Sequence, residues 1–171
     1  MRAFRFGAAG ALALVEALLA GVLVASSGHN DQPWLIGTIA ITAGLSFVAA
    51  GLVALWRRPG NATGRWLAAV GYLWFLASLT DANDQILWTI GFVCGNLALV
   101  CFAGLVLAYP DGTLGTRDRI IVATGGAVAI VGNVVVVLVD ETPATQCDNC
   151  PGSAIAIANS ERAAAVVDGV G

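Results

Sequence analysis

From Trp34 to Trp56 the chain carries no formal charge, and a second apolar run opens at Trp66. Between them stands one short polar stretch, Arg57-Arg58-Pro59-Gly60-Asn61-Ala62-Thr63-Gly64-Arg65. Apolar runs close to the ~20 residues needed to cross hydrocarbon admit few folds. No water reaches the backbone there, so each run must close its own N–H···O=C bonds as an α-helix. Proline and glycine interrupt a helix, so the polar stretch reads as a turn. Its three arginines also fix a side, because short arginine-bearing loops stay in the cytoplasm.

Composition agrees with a membrane chain. Apolar residues make up 58 % of the sequence, charged residues 11 %, and mean hydropathy is +0.83. A soluble domain carries about 25 % charged residues to cover its surface. The chain has no lysine and a net charge of -3, which leaves no basic face for nucleic acid.

The expected class is all-α, an integral membrane bundle with five spans at about 6–25, 34–56, 66–82, 86–108 and 120–139. The first run competes with a signal peptide, but it is long for one and carries Glu16 at its centre. Residues 140–171 form a polar, extracytoplasmic segment that contains Cys147-Asp148-Asn149-Cys150. Five spans from an inside start leave the C-terminus outside, so a sixth span is expected beyond Gly171.

Charge placement sets the topology. Arg2, Arg5, Arg57, Arg58, Arg65, Arg117 and Arg119 fall on alternate connections. The opposite connections hold Asp31, Asp81, Asp84, Asp140, Glu141 and Asp148, with Arg162 as their single arginine. This positive-inside pattern puts the N-terminus in the cytoplasm. Trp34, Trp56, Trp66, Trp88 and Tyr109 stand at span ends, where amphipathic rings favour the headgroup level.

Few residues offer chemistry. Glu16 lies near mid-bilayer, where a carboxylate is costly unless protonated or paired. It is read either as a proton- or ligand-sensing group or as a protonated acid bonded to a neighbouring helix. Rise along the helix brings Asn96 to a similar depth and makes it the first-choice partner, with Asn133 second. Cys147 and Cys150 lie in an oxidising compartment, so a local disulfide is the default. A zinc site would need about four ligands, and only these thiols and His29 lie outside. Cys94 and Cys101 lie too far apart along one helix to bridge and read as packing residues. Gly91 and Gly95 make a small-xxx-small pair, used for packing within the chain or for a dimer contact. Gly125 and Gly126 offer a second small patch. No phosphate-cradling glycine loop, HExxH or G-x-S-x-G occurs, and no catalytic constellation is found.

Three stretches together resemble the multi-span N-terminal region of actinobacterial sensor histidine kinases. Arg57-Arg58-Pro59-Gly60-Asn61, before Gly64 and Trp66, resembles that family's first cytoplasmic loop. Tyr109-Pro110-Asp111-Gly112-Thr113-Leu114 resembles its second, with Thr113 where an arginine is usual. Cys147-Asp148-Asn149-Cys150-Pro151 resembles its outer Cys-x-x-Cys-Pro segment, although Gly152-Ser153-Ala154 replaces the usual Asn-Pro-Leu. The resemblance implies a sensory input region for a two-component system, acting as a homodimer in the bilayer. It implies no cofactor in these residues. ATP and Mg would belong to a kinase domain beyond Gly171, and a response regulator would be the downstream partner. Two other readings stand beside it: a membrane thiol-disulfide oxidoreductase that uses Cys147 and Cys150, and a small transporter or channel subunit.

Overall fold

The computed structural model describes residues 2–28, 30, 32–110, 112–139 and 150–157, with side chains from Phe6 onward. All regular structure among them is helical: α1 (Arg2–Ser26), α2 (Pro33–Arg57), α3 (Thr63–Ala77), a 3-10 turn (Ser78–Asp81), α4 (Gln85–Cys94), α5 (Leu97–Ala108) and α6 (Thr116–Val139). Four segments are long and apolar enough to cross a membrane: Phe6–Ser26, Pro33–Arg57, Gln85–Ala108 and Thr116–Val139. The chain is therefore of the multi-pass membrane type.

Two expected elements differ from the sequence reading. The third does not run over 66–82. It starts earlier, at Thr63, and its α-helix stops at Ala77, where the 3-10 turn carries it to Asp81. The fourth is not one unbroken helix over 86–108, because Gly95 and Asn96 separate α4 from α5. Glycine is a poor helix former, and asparagine competes with the backbone for its own hydrogen bonds.

Helix α3 occupies the centre, against α2 on one side and α5 on the other, with α1 packed on α2 and α6 packed on α4 and α5. The α2–α3 seam is built from small residues. Gly44, Val48 and Gly51 line one wall, and Gly64, Ala68 and Gly71 face them, whereas Gly37 lies against Val24 of α1. A Cβ at Gly51 would lie 2.5 Å from the Ala68 nitrogen and 2.8 Å from the Gly64 oxygen. The two backbones thus approach more closely than any larger side chain would permit. Phe75 fills the space above Gly44 and joins Ala17 and Ala20 of α1 in the buried centre. Helix α1 offers its own small stripe there, Ala13, Ala17, Ala20 and Val24.

The outward faces are apolar. Leu18, Val22, Leu99, Val128 and Val131 are all more than half exposed. Of α6, only Val137 is buried. Around a soluble protein such a surface would aggregate; around a bundle in lipid it is the solvated surface. The aromatic residues divide. Trp34, Trp56 and Tyr109 are 72 %, 73 % and 74 % exposed at helix ends. Trp88 is instead 2 % exposed and stacks on Phe92 with centroids 5.3 Å apart. It is a core residue and not the interfacial anchor that its position in the sequence implied. Trp66 also turns inward, closing over Gly104.

Candidate functional site

The polar groups gather in three places: the two ends of the bundle and a layer between them. At one end the α2–α3 turn and the α5–α6 turn clasp each other. Asn61 does two jobs there. Its Oδ1 accepts from the Thr63 nitrogen at 2.8 Å, which starts α3. Its Nδ2 donates to the Pro110 carbonyl at 3.2 Å, which ties the turns together. The Tyr109–Pro110 bond is cis. Gly112 sits at φ 74, donates its N–H to the Ala108 carbonyl at 2.7 Å, and is buried against Ala62 and Thr63. No residue with a Cβ could take that place, by backbone angle or by space. Arg57, Arg58, Arg65, Arg117 and Arg119 are all exposed at this same end. Arg119 also donates through Nε to the Leu114 carbonyl at 3.1 Å.

The opposite end holds the acidic turns. The Asn30 amide donates to Asp81 at 2.8 Å. Asn83 receives the Gly28 N–H at 3.2 Å and donates to the Ser26 carbonyl at 2.7 Å. Asp84 caps α4 by accepting from the Ile86 and Leu87 nitrogens, each at 3.0 Å. The segment after α6 returns to this end. Gln85 donates to the Pro151 carbonyl at 3.0 Å, and Ser153 donates to the Val137 carbonyl at 2.6 Å. Cys150 lies in that segment; Cys147 and the rest of 140–149 lie outside the described residues.

The third place is the break between α4 and α5. Where a helix stops inside the apolar layer, its last carbonyls lose their intrahelical partners. Asn133 of α6 supplies replacements: its Nδ2 donates to the Phe92 oxygen at 2.9 Å and to the Val93 oxygen at 3.3 Å. The Asn96 amide in turn donates to Asn133 Oδ1 at 3.5 Å. Asn96 and Asn133 are therefore brought together, with each other and not with Glu16. Helix α3 stands between the helix that bears Glu16 and the layer that holds the two asparagines.

Glu16 faces a separate cavity of about 120 Å³, walled by Leu19, Leu23, Phe75, Leu76 and Leu79. Its Oε2 is buried and has no hydrogen-bond partner. Tyr72, the nearest candidate, spends its hydroxyl on the Ala9 carbonyl at 2.8 Å. The expected partnership with Asn96 is thus replaced by a carboxylate with an open position.

The small residues named from the sequence also find their places. Gly91 lies against the backbone of Leu79 and Thr80, so close that a Cβ would be 2.5 Å from the Thr80 nitrogen. Gly95 lies at the helix break, where an added Cβ would meet Ala77 at 3.9 Å. Gly126 approaches Val100, whereas Gly125 faces open space. Cys94 and Cys101 are free thiols. Among the described residues, no three His, Cys, Asp or Glu side chains come together as metal ligands. The Asn133 cap is the functional feature that sequence reasoning missed. Its signal was a lone asparagine in the apolar run of α6, set opposite a Gly-Asn pair in the preceding run.

Comparison with known families, with curated proteins and with solved structures finds no match to this chain.

Proposed function

We propose that residues 1–171 are the membrane input region of a two-component sensor kinase. In this reading the bundle crosses a bacterial plasma membrane five times, α3 with its 3-10 turn making the third crossing beside the four long apolar segments. The N-terminus and both arginine-bearing turns face the cytoplasm, and the Cys147–Cys150 loop, closed by a disulfide, lies outside. The protein works as a homodimer and passes its signal to an ATP- and Mg-dependent kinase domain, which phosphorylates a response regulator.

One observation carries the reading. The two stretches that resemble the family's cytoplasmic loops are not independent turns, because Asn61 of the first is bonded to Pro110 of the second and packed against Gly112. Residues shared by resemblance are the ones that form the clasp. The third stretch, around Cys150-Pro151, folds onto the start of α4 through Gln85.

The bundle also contains an input and a movable element. Glu16, with a free oxygen in a small apolar cavity, is a group whose protonation or occupation by a ligand changes the packing of α1 on α3. From α3 the 3-10 turn reaches α4 through Gly91, and α4 ends at the break held by Asn133. A stimulus shifts such a bundle between two packings only by its differential affinity for them.

The test uses the full translated product of the reading frame in lipid nanodiscs with labelled ATP. Wild type incorporates phosphate on a histidine, and Glu16→Gln changes the dependence of that incorporation on pH or on the stimulus. Absence of histidine phosphorylation in the wild type rejects the kinase assignment. Histidine phosphorylation unaltered by Glu16→Gln rejects the input site.

A further inference from the structure

The clasp at the arginine end encloses more than its own hydrogen bonds. Beneath it lies an open cleft of about 320 Å³, with Arg57, Arg58, Asn61, Thr63, Tyr109 and Pro110 in its wall. Arg57 and Arg58 are exposed, and among the described residues nothing pairs with either guanidinium. The Thr63 hydroxyl is buried and without a hydrogen-bond partner. Tyr109 stands at the rim, 74 % exposed. The two turns together carry Arg57, Arg58, Arg65, Arg117 and Arg119 against Asp111 and Asp118, so five positive minus two negative charges leave +3.

Topology alone accounts for arginine number, because orientation responds to a count of positive residues near span ends. It does not account for a walled cleft with two adjacent free guanidinium groups and an unused hydroxyl. Guanidinium forks match the oxygens of a phosphate and bind it through paired N–H···O bonds. The depth of the cleft identifies the source of the phosphate. Trp56 and Tyr109, exposed at this end of the bundle, mark the headgroup level of the bilayer. Basic pockets between membrane helices on the cytoplasmic side suit the phosphates of anionic lipids.

We propose that this cleft binds the phosphate of an anionic lipid, with Arg57 and Arg58 as the charged ligands and Asn61, Thr63 and Tyr109 as neutral hydrogen-bonding groups. A lipid without a headgroup amine is preferred, since an ammonium would be repelled by the net positive turns. The inference is independent of the sensor reading and requires only that this end of the bundle lie at a membrane surface. Lipid seated there would bridge α2 and the α2–α3 turn to the α5–α6 turn.

The experiment counts lipids retained by the purified protein in native mass spectrometry, from nanodiscs of phosphatidylcholine with or without phosphatidylglycerol. Wild type retains phosphatidylglycerol in preference to phosphatidylcholine. The Arg57→Gln/Arg58→Gln double variant binds it about tenfold more weakly, and Arg65→Gln/Arg117→Gln, with the same charge change outside the cleft, loses less than about twofold. Arg57→Lys/Arg58→Lys keeps the charge that orients the chain but not the fork, and it loses several-fold. Thr63→Val, which removes the hydroxyl at nearly constant volume, weakens retention in the same direction. Equal losses in the two glutamine pairs, full retention by the lysine pair, or equal retention of both lipids would overturn the site. Displacement of the lipid by millimolar inorganic phosphate, added as a competitor, would overturn the lipid as its occupant.

Discussion

Replacing Gly51 with alanine puts the central seam to the test. The added Cβ would lie 2.5 Å from the Ala68 nitrogen, 2.8 Å from the Gly64 oxygen and 3.0 Å from the Ala68 Cα. All three are backbone atoms, so no rotamer change relieves the contact. Ordinary contact begins at 3.4 Å, so α2 and α3 must part by about 0.9 Å at this level, the difference between 3.4 and 2.5. A gap of that order forfeits a quarter to a half of each neighbouring dispersion contact, and overpacking of a close seam costs about 1–3 kcal/mol. With backbone on both sides, Gly51→Ala falls at the upper end, about 2–3 kcal/mol. Gly125→Ala is the control, because nothing lies within 4 Å of its Cβ position, and it is neutral or stabilising by up to about 1 kcal/mol, alanine being the better helix former. The assay is reversible unfolding by SDS titration in mixed micelles, followed by tryptophan fluorescence. If Gly51→Ala unfolds with wild type, or if Gly125→Ala costs as much, the close approach of α2 and α3 does not hold the bundle together.

Four further substitutions probe the polar layer, the ends and the α1–α3 contact. Asn133→Ala leaves the Phe92 and Val93 carbonyls without their donor and costs about 1–3 kcal/mol in the same titration. Asn96→Ala, which gives up only a 3.5 Å contact, costs less than Asn133→Ala. Asp84→Ala removes the cap of α4 and destabilises by about 0.5–2 kcal/mol, with faster hydrogen exchange at the Ile86 and Leu87 amides. Tyr72→Phe frees the Ala9 carbonyl and costs about 0.5–1.5 kcal/mol, seen as earlier unfolding of the α1–α3 contact.

What the sequence displayed of this architecture follows from what each signal measures. Hydropathy and charge report where a helix can lie in a membrane, so α2 (Pro33–Arg57) was legible to within a residue at each end, whereas α1 and α6 begin earlier than expected, at Arg2 and Thr116, in residues too polar to join an apolar run. The same signal is blind to a break whose residues are apolar on average. The most apolar 18-residue window within Gln85–Ala108 has a mean hydropathy of 2.3, and Gly95-Asn96 lies inside it without lowering it enough to register. Helix rise gave Glu16 and Asn96 a similar expected depth, but depth says nothing about which helix stands beside which. Helix α3, shorter than its neighbours, takes the centre and keeps the two apart. Trp88 shows the same limit, because a tryptophan near a span end marks the boundary only if it faces outward. The α2–α3 seam was spelled out in Gly44, Val48 and Gly51, yet small residues are so frequent in this chain that these were not singled out. The clasp between Asn61 and Pro110 joins residues far apart in sequence; charge placed both turns on one side, but nothing in the sequence paired them.

The placement of the arginine turns on the cytoplasmic face is the claim on which the functional reading rests. Its most direct measurement is labelling of single cysteines in intact cells by a membrane-impermeant maleimide, in a background without native cysteines. Gln32 and Gly60 are suitable positions, since both are exposed and lie at opposite ends of the bundle. The account predicts that Gln32→Cys is labelled in intact cells and that Gly60→Cys is labelled only after permeabilisation. Labelling of Gly60→Cys in intact cells, with Gln32→Cys protected, would contradict it.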